Sequence, residues 1–178
     1  MEERDALSEF DEKVRVLLIT NVFEGLFRMR WRGLNLFSGL WLGLISGSVV
    51  GAELVVQGVV TQWRPLVTFA QPGDVIRFKG MIGHDTETIE GMIPEGSTGW
   101  KSKLGEEGFA AVVEKDGIYI YKCNPHITTG MVGVIIVGDS RPPENLEHVE
   151  KSLSKIRVGR NMVKRALRKA AQAMESQQ

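Results

Sequence analysis

The chain has 178 residues, of which 43% are apolar, and this supports one ordinary globular core with accessory segments. Lys plus Arg and Asp plus Glu both total 22, so no overall charge favours nucleic acid or a strongly acidic partner. Any charge-based preference for a partner must therefore come from local patches.

The first organised feature is an uncharged run of 17 residues at 34–50. Arginines precede it at positions 28, 30 and 32, and Ala52 follows it. This order predicts a secretory signal that is cleaved after Ala52. The alternative is an uncleaved membrane anchor, for which 17 residues is at the short limit of length.

Residues 1–28 are unusual for the start of such a signal. They carry charges of both signs and include the apolar run from Val14 to Ile19. Translation from Met29 would give an ordinary basic start, whereas translation from Met1 would add a cytoplasmic tail. Both interpretations remain open.

From Glu53 to Asp139, short apolar runs separated by turn residues predict an all-β domain, which is a sandwich or a barrel. The segment from Met92 to Lys103 lacks period-2 alternation and is predicted to be a loop with room for one helical turn. The predicted strands are Leu54 to Val60, Leu66 to Phe69, a segment around Val75 and Phe78, Phe109 to Val113, Ile118 to Lys122, and Val132 to Val137.

After Asp139 the pattern changes to helical spacing. Arg141-Pro142-Pro143 forms a stiff break, and two helices are predicted beyond it. The second helix is basic, which is more often a solvated face than a membrane or partner contact. The apolar positions are Leu146, Val149 and Leu153 in the first helix and Met162, Val163, Ala166, Leu167, Ala170 and Met174 in the second.

Cys123 is the single cysteine of the chain, which is uncommon in an exported protein. It opens a segment that also contains His126 and Met131, and a loop between two strands can bend these side chains toward one point. His84, at an earlier strand end, can supply a fourth ligand. One thiolate, two imidazoles and a weak axial thioether are the donors of electron-transfer copper sites.

Zinc is the competing metal. Structural zinc sites prefer several thiolates in short paired spacings, and catalytic zinc sites usually add a carboxylate or a third histidine. The sequence shows neither pattern around Cys123, so copper is favoured. His148, which lies among glutamates on a predicted surface helix, is not predicted to be a ligand.

These motifs resemble the pseudoazurins, a family of small periplasmic cupredoxins. The similarity covers the turn at 71–74, the run at 83–89, the run at 92–96, the segment at 101–103, the ligand loop ending at 130–133, and the two C-terminal helices. Azurins and amicyanins fit less well by ligand-loop spacing, and plastocyanins lack the helical tail. Asp85 in place of asparagine, Thr129 in place of an apolar residue, and a shorter loop between Val60 and Leu66 depart from the family pattern.

The resemblance implies a cupredoxin Greek-key sandwich of eight strands that holds one type 1 copper through His84, Cys123, His126 and Met131. The chain then divides into an N-terminal extension with its signal at 1–52, a cupredoxin domain at 53–139 and a helical extension at 140–178. The expected function is one-electron transfer in the periplasm by a monomer that is not an enzyme. The alternative is a copper-binding or delivery protein on the same fold.

The resemblance also implies how a partner docks. The exposed edge of His126 would face a periplasmic redox enzyme or cytochrome in a transient contact. Lys101, Lys103 and Lys122 match positions similar to the basic ring that pseudoazurins present around copper. No nucleic acid is expected, and a membrane is expected only if the N-terminal segment is uncleaved.

Overall fold

The computed structural model describes residues 51–177. The predicted signal at 34–50 and the alternative start at Met29 lie outside these residues. Within residues 51–177, no helix is both long enough and apolar enough to cross a membrane.

Eight strands form two four-stranded sheets, which confirms the predicted all-β sandwich. The sheets have the strand orders β2-β1-β4-β6 and β3-β8-β7-β5, so from β2 to β7 the chain crosses to the other sheet at every step, as in a Greek-key sandwich. Strands β1 and β4 pair in parallel, as do β3 and β8, whereas the other pairs are antiparallel. The strands are β1 Glu53–Val59, β2 Gln62–Arg64, β3 Val67–Ala70, β4 Asp74–Lys79, β5 Glu87–Thr88, β6 Ala110–Val113, β7 Gly117–Lys122 and β8 Val132–Val137.

Four local features differ from the sequence predictions. The segment between Val60 and Leu66, predicted to be a loop, contains β2, and β5 was not predicted at all. Strand β1 ends at Val59 because Val60 has a left-handed backbone (φ 56) in the turn to β2. The segment from Met92 to Lys103 is a loop, as predicted, and it contains turns and an isolated bridge rather than a helical turn.

The main core lies between the two sheets and is rich in aromatic side chains. Trp63 from β2 and Phe78 from β4 contact Tyr121 from β7, with ring centroids 5.6 and 5.3 Å from that of Tyr121. Trp100 joins this cluster from the loop. Both tryptophans are therefore packing residues of this core.

The two helices that the apolar spacing predicted are present, and they cover the outer face of the second sheet. Helix α1 spans Leu146–Ser152 and continues as the 3-10 helix Leu153–Lys155, and helix α2 spans Arg160–Glu175. Strands β7 and β8 are consequently buried on both faces, which explains their continuous apolar runs. The second core lies between these strands and the helices and includes Ile118, Ile120, Val134, Ile136, Val149, Val163 and Ala166.

Candidate metal centre

The loop between β7 and β8 folds back on itself and brings three predicted ligands together. The backbone N–H of Cys123 donates to the Met131 carbonyl (3.0 Å), and the N–H of Met131 donates to the His126 carbonyl (3.1 Å). The N–H of His126 donates in turn to the Cys123 carbonyl (3.2 Å). These closed hydrogen bonds hold the three residues at one end of the sandwich.

A 3-10 turn at Ile127–Thr129 closes this loop and contacts helix α2. The Thr129 hydroxyl donates to the His126 carbonyl (2.9 Å), so the side chain of Thr129 ties the turn to the backbone of His126. Gly159, at the start of α2, has φ 78 and packs against Ile127 so closely that an ideal Cβ there would lie 2.6 Å from Ile127 Cγ1. Only glycine fits both the backbone angle and the close approach.

His84 comes from the segment that follows β4. Its N–H donates to the Met81 carbonyl (2.8 Å), and its carbonyl accepts from Gly105 (2.8 Å). The carboxylate of Glu107 accepts from the backbone N–H groups of Gly80 (3.0 Å) and Met81 (2.8 Å), and these bonds lower the pKa of Glu107. Sequence reasoning missed Glu107, because a single glutamate in a loop carries no signal of this kind.

Three donor atoms converge between these segments. The Nδ1 atoms of His84 and His126 lie 3.1 Å apart, and the Cys123 Sγ lies 3.6 Å from the first and 3.5 Å from the second. The centre of this triangle is about 2 Å from each atom, which is the range of metal–imidazole bonds and slightly short for metal–thiolate bonds. Among residues 51–177, these residues form the only group of three His, Cys, Asp or Glu side chains able to hold a metal ion, and His148 is not among them.

Met131 is fully buried in the same cluster as Cys123. An ideal Cβ on Gly58 in β1 would lie 3.0 Å from His84 Cδ2 and 3.4 Å from Met131 Cε. The end of the Met131 side chain and the His84 ring therefore border the same point on β1. The absence of a side chain at Gly58 leaves room for both.

Burial controls the charges of the donors. It raises the pKa of Cys123, and hydrogen bonds from the backbone of Asp85 and His126 oppose this shift only in part. Burial also lowers the pKa of His84, and the neighbouring His126 lowers it further. Both shifts favour the neutral forms of these side chains, and a bound cation would favour the Cys123 thiolate instead.

The two imidazoles differ in exposure. His84 is 6% exposed and is buried behind the ring of Trp63, whereas His126 is partly exposed. Ile82, which lies two residues before His84, is 91% exposed. The predicted order of exposure of the two histidines is therefore the observed one, and the apolar side chain of Ile82 is left uncovered by residues 51–177.

Charged side chains surround this end unevenly. Glu87 pairs with Lys101 (3.3 Å) and more loosely with Lys122 (3.9 Å). Asp85, which follows His84, accepts hydrogen bonds from Asn124, which follows Cys123. Sequence reasoning did not identify Glu87 or Asn124 as neighbours of the site.

The fold and the donor set define a cupredoxin-type copper protein. The family model of copper-binding proteins of the plastocyanin/azurin family matches residues 54–138. The chain is 42% identical to a pseudoazurin of Methylorubrum extorquens over 91 residues, which cover 51% of this chain and 60% of the relative. It is also 42% identical to a pseudoazurin of Paracoccus pantotrophus over 86 residues, which cover 48% of this chain and 57% of the relative.

Solved structures agree with these sequence relatives. The crystal structure of a pseudoazurin from Methylobacterium extorquens has 32% sequence identity and a TM-score of 0.58, and the match covers 68% of this chain and 98% of that one. The pseudoazurin from Sinorhizobium meliloti has 36% identity and a TM-score of 0.50, with 56% and 81% covered. The chain belongs to the pseudoazurins, within the copper-binding plastocyanin/azurin family. Copper is accordingly the metal cofactor of this chain.

Proposed function

We propose that this protein carries single electrons through one type 1 copper ion bound by His84, Cys123, His126 and Met131. The observation that carries the proposal is the triangle of two imidazole nitrogens and one thiol sulfur, with all three separations between 3.1 and 3.6 Å. Bound copper supplies reversible one-electron chemistry between Cu(II) and Cu(I). The protein supplies a soft thiolate and thioether together with two imidazoles, a donor set that suits both states.

The surroundings of the donors favour electron transfer over chemistry on a substrate. Cys123 and Met131 are fully buried and His84 nearly so, which excludes water and leaves little space for a reacting molecule. The hydrogen-bonded ligand loop resists rearrangement when the charge changes. The partly exposed edge of His126 is the surface at which an electron would enter or leave, and the protein has no substrate chemistry of its own.

The surface near His126 suits a transient protein partner. Arg165 in α2 lies against the ligand loop, since its Nη2 is 3.7 Å from the ideal Cβ position of Gly130. Helix α2 continues this positive charge with three further exposed cations, Arg160, Arg168 and Lys169. A periplasmic redox enzyme or cytochrome with an acidic face would be steered toward this end, in a contact below about 1,200 Å².

We further propose that the protein reaches the periplasm through the signal at 34–50 and works as a monomer. The uncharged run and the arginines that precede it support export. The similarity to pseudoazurins supports the proposed electron-transfer function. The alternative of a copper-delivery protein uses the same donors but requires ready metal exchange, which a closed hydrogen-bonded loop disfavours.

The test uses the full chain and the same chain with Cys123→Ser, each loaded with one equivalent of Cu(II). We expect intense visible thiolate-to-copper absorption and a reversible voltammetric wave in the first protein and neither in the second, because a hydroxyl neither deprotonates nor bonds covalently enough at neutral pH. A colourless copper complex of the unaltered protein would favour metal delivery. An intense band in the serine variant would remove Cys123 from the ligand set.

A further inference from the structure

Three polar side chains next to the predicted ligands bind one another. The backbone N–H of Asn124 donates to Asp85 Oδ1 at 2.6 Å, and its side-chain Nδ2 donates to Asp85 Oδ2 at 2.8 Å. The same Nδ2 donates to Glu87 Oε2 at 2.7 Å. We call Asp85, Glu87 and Asn124 the carboxylate clamp.

The clamp uses every donor that Asn124 offers. An amide nitrogen has two hydrogens, and here each one points to a different carboxylate, while the backbone N–H satisfies a third oxygen. Hydrogen bonds to charged acceptors are stronger than neutral ones. Asn124 therefore separates two carboxylates that would otherwise repel each other.

Lysines complete the arrangement on the solvent side. Lys101 and Lys122 lie 3.3 and 3.9 Å from the two oxygens of Glu87, and the Lys101 side chain is 67% exposed. Burial raises the pKa of Glu87, but the hydrogen bond from Asn124 and the two lysines together outweigh burial, so this pKa lies below its ordinary value. Glu87 thus remains an acceptor for Asn124 at neutral pH.

The clamp connects the two parts of the chain that carry the metal donors. Asp85 directly follows His84, and Asn124 directly follows Cys123 and precedes Pro125-His126. A hydrogen bond across 39 residues of sequence therefore fixes the distance between these segments close to the donors themselves. Such restraints near metal ligands orient the ligands and commonly change metal affinity when they are removed.

The geometry points to Asp85, Glu87 and Asn124 as positioning residues that hold the ligand loop in its metal-ready arrangement before copper binds. This inference rests on the proposed copper site. An asparagine at position 85 could both donate and accept hydrogen bonds, whereas Asp85 only accepts them. The donor in this chain is Asn124, the residue after Cys123. The restraint also reaches the surface, since Glu87 links Asn124 to the exposed Lys101.

The first test variant is Asn124→Asp, which replaces the donating amide by a third carboxylate. We expect copper loss to a chelator to accelerate about 10-fold to 100-fold and the visible band to shift. In the metal-free protein, we expect the backbone amide of residue 124 to exchange with solvent faster. The matched control is Glu53→Ala, which removes the contact of Glu53 with Arg77 at the start of β1.

The second variant reverses all donors and acceptors through Asp85→Asn, Glu87→Gln and Asn124→Asp together. Each new amide can donate to the new carboxylate, and Asn at position 85 can still accept from the backbone N–H of residue 124. We expect this triple variant to recover slow copper loss and slow amide exchange relative to Asn124→Asp alone. A third variant, Glu87→Ala, removes one hydrogen bond of the clamp and is used if Asn124→Asp does not fold. We expect copper loss from Glu87→Ala to be several-fold faster than from Glu53→Ala.

Two results would overturn the inference. The first is an Asn124→Asp variant that matches Glu53→Ala in its rate of copper loss, its visible band and its amide exchange. If Glu87→Ala replaces Asn124→Asp, the same match in Glu87→Ala counts against the inference. The other is a triple variant no better than Asn124→Asp, which would show that charge alone matters. The amide exchange is measured without copper, so it tests the clamp even if the unaltered protein fails to show the visible band of the proposed electron carrier.

Discussion

Tyr121 offers a sharp test of the core that supports the metal centre. Its ring is fully buried among Trp63, Phe78 and Trp100, and its hydroxyl has no hydrogen-bond partner within residues 51–177. Burial raises the pKa of Tyr121 well above its ordinary value, so the group stays neutral. An unpaired buried hydroxyl costs about 1–3 kcal/mol, and the void left by its removal costs up to about 1 kcal/mol. We therefore expect Tyr121→Phe to stabilise the fold by about 1 kcal/mol.

Tyr119→Phe is the matched control on the same strand. The Tyr119 hydroxyl donates to the Lys115 carbonyl (3.0 Å), accepts from the Lys115 N–H (3.2 Å) and contacts the Ser97 hydroxyl (3.0 Å). Its removal leaves these groups unpaired and should destabilise the protein by about 1–2 kcal/mol. Denaturant unfolding of both metal-free variants measures the difference at constant m-value. A Tyr121→Phe variant destabilised as much as Tyr119→Phe would refute the reasoning and show that the Tyr121 hydroxyl has a partner, such as a buried water.

Two further predictions concern the ligand loop. His126→Gly should regain the visible band when imidazole is added, whereas His84→Gly should regain little of it because His84 is buried. Absorption titration with imidazole measures the recovery. Equal recovery in both variants would show that the wrong histidine was assigned to the surface. Gly159→Ala should destabilise the fold by about 2–3 kcal/mol and shift the visible band, since left-handed strain adds to a clash with Ile127. Gly73→Ala has comparable strain but no neighbour within 4 Å, so equal losses of stability and an unshifted band in both variants would argue against that clash.

Six of the eight strands were predictable because each contains a run of apolar residues long enough to show a pattern. Strand β2 has three residues with only Trp63 buried, and β5 has two residues, both polar and half-buried. Such short strands exist through their pairing partners: β5 is defined by its contact with Lys122 and Tyr121 on β7. Local sequence cannot show this, nor can it show that β1 pairs in parallel with β4.

The proposed metal donors were predictable to different degrees for a physical reason. Cys123, His126 and Met131 lie within nine residues of one another, so one tight loop is sufficient to bring them together. His84 lies 39 residues from Cys123, so whether it reaches the other donors depends on the pairing of distant strands. Its assignment as a ligand was supported by the resemblance to a family. The clamp was less accessible still, because Glu87 contributes through a two-residue strand that no local pattern predicts.

The difference in sequence separation between the loop residues and His84 also explains how the site can be assembled before a metal binds. The hydrogen bonds within the loop from Cys123 to Met131 form over short sequence distances and cost little loop entropy. The contact of this loop with the His84 segment closes a much longer stretch of chain, and it needs stronger fixation. The charge-assisted bonds from Asn124 to Asp85 provide that fixation at the residues adjacent to Cys123 and His84. The contact between the His84 segment and the ligand loop therefore depends on Asp85 and Asn124, the residues that directly follow His84 and Cys123.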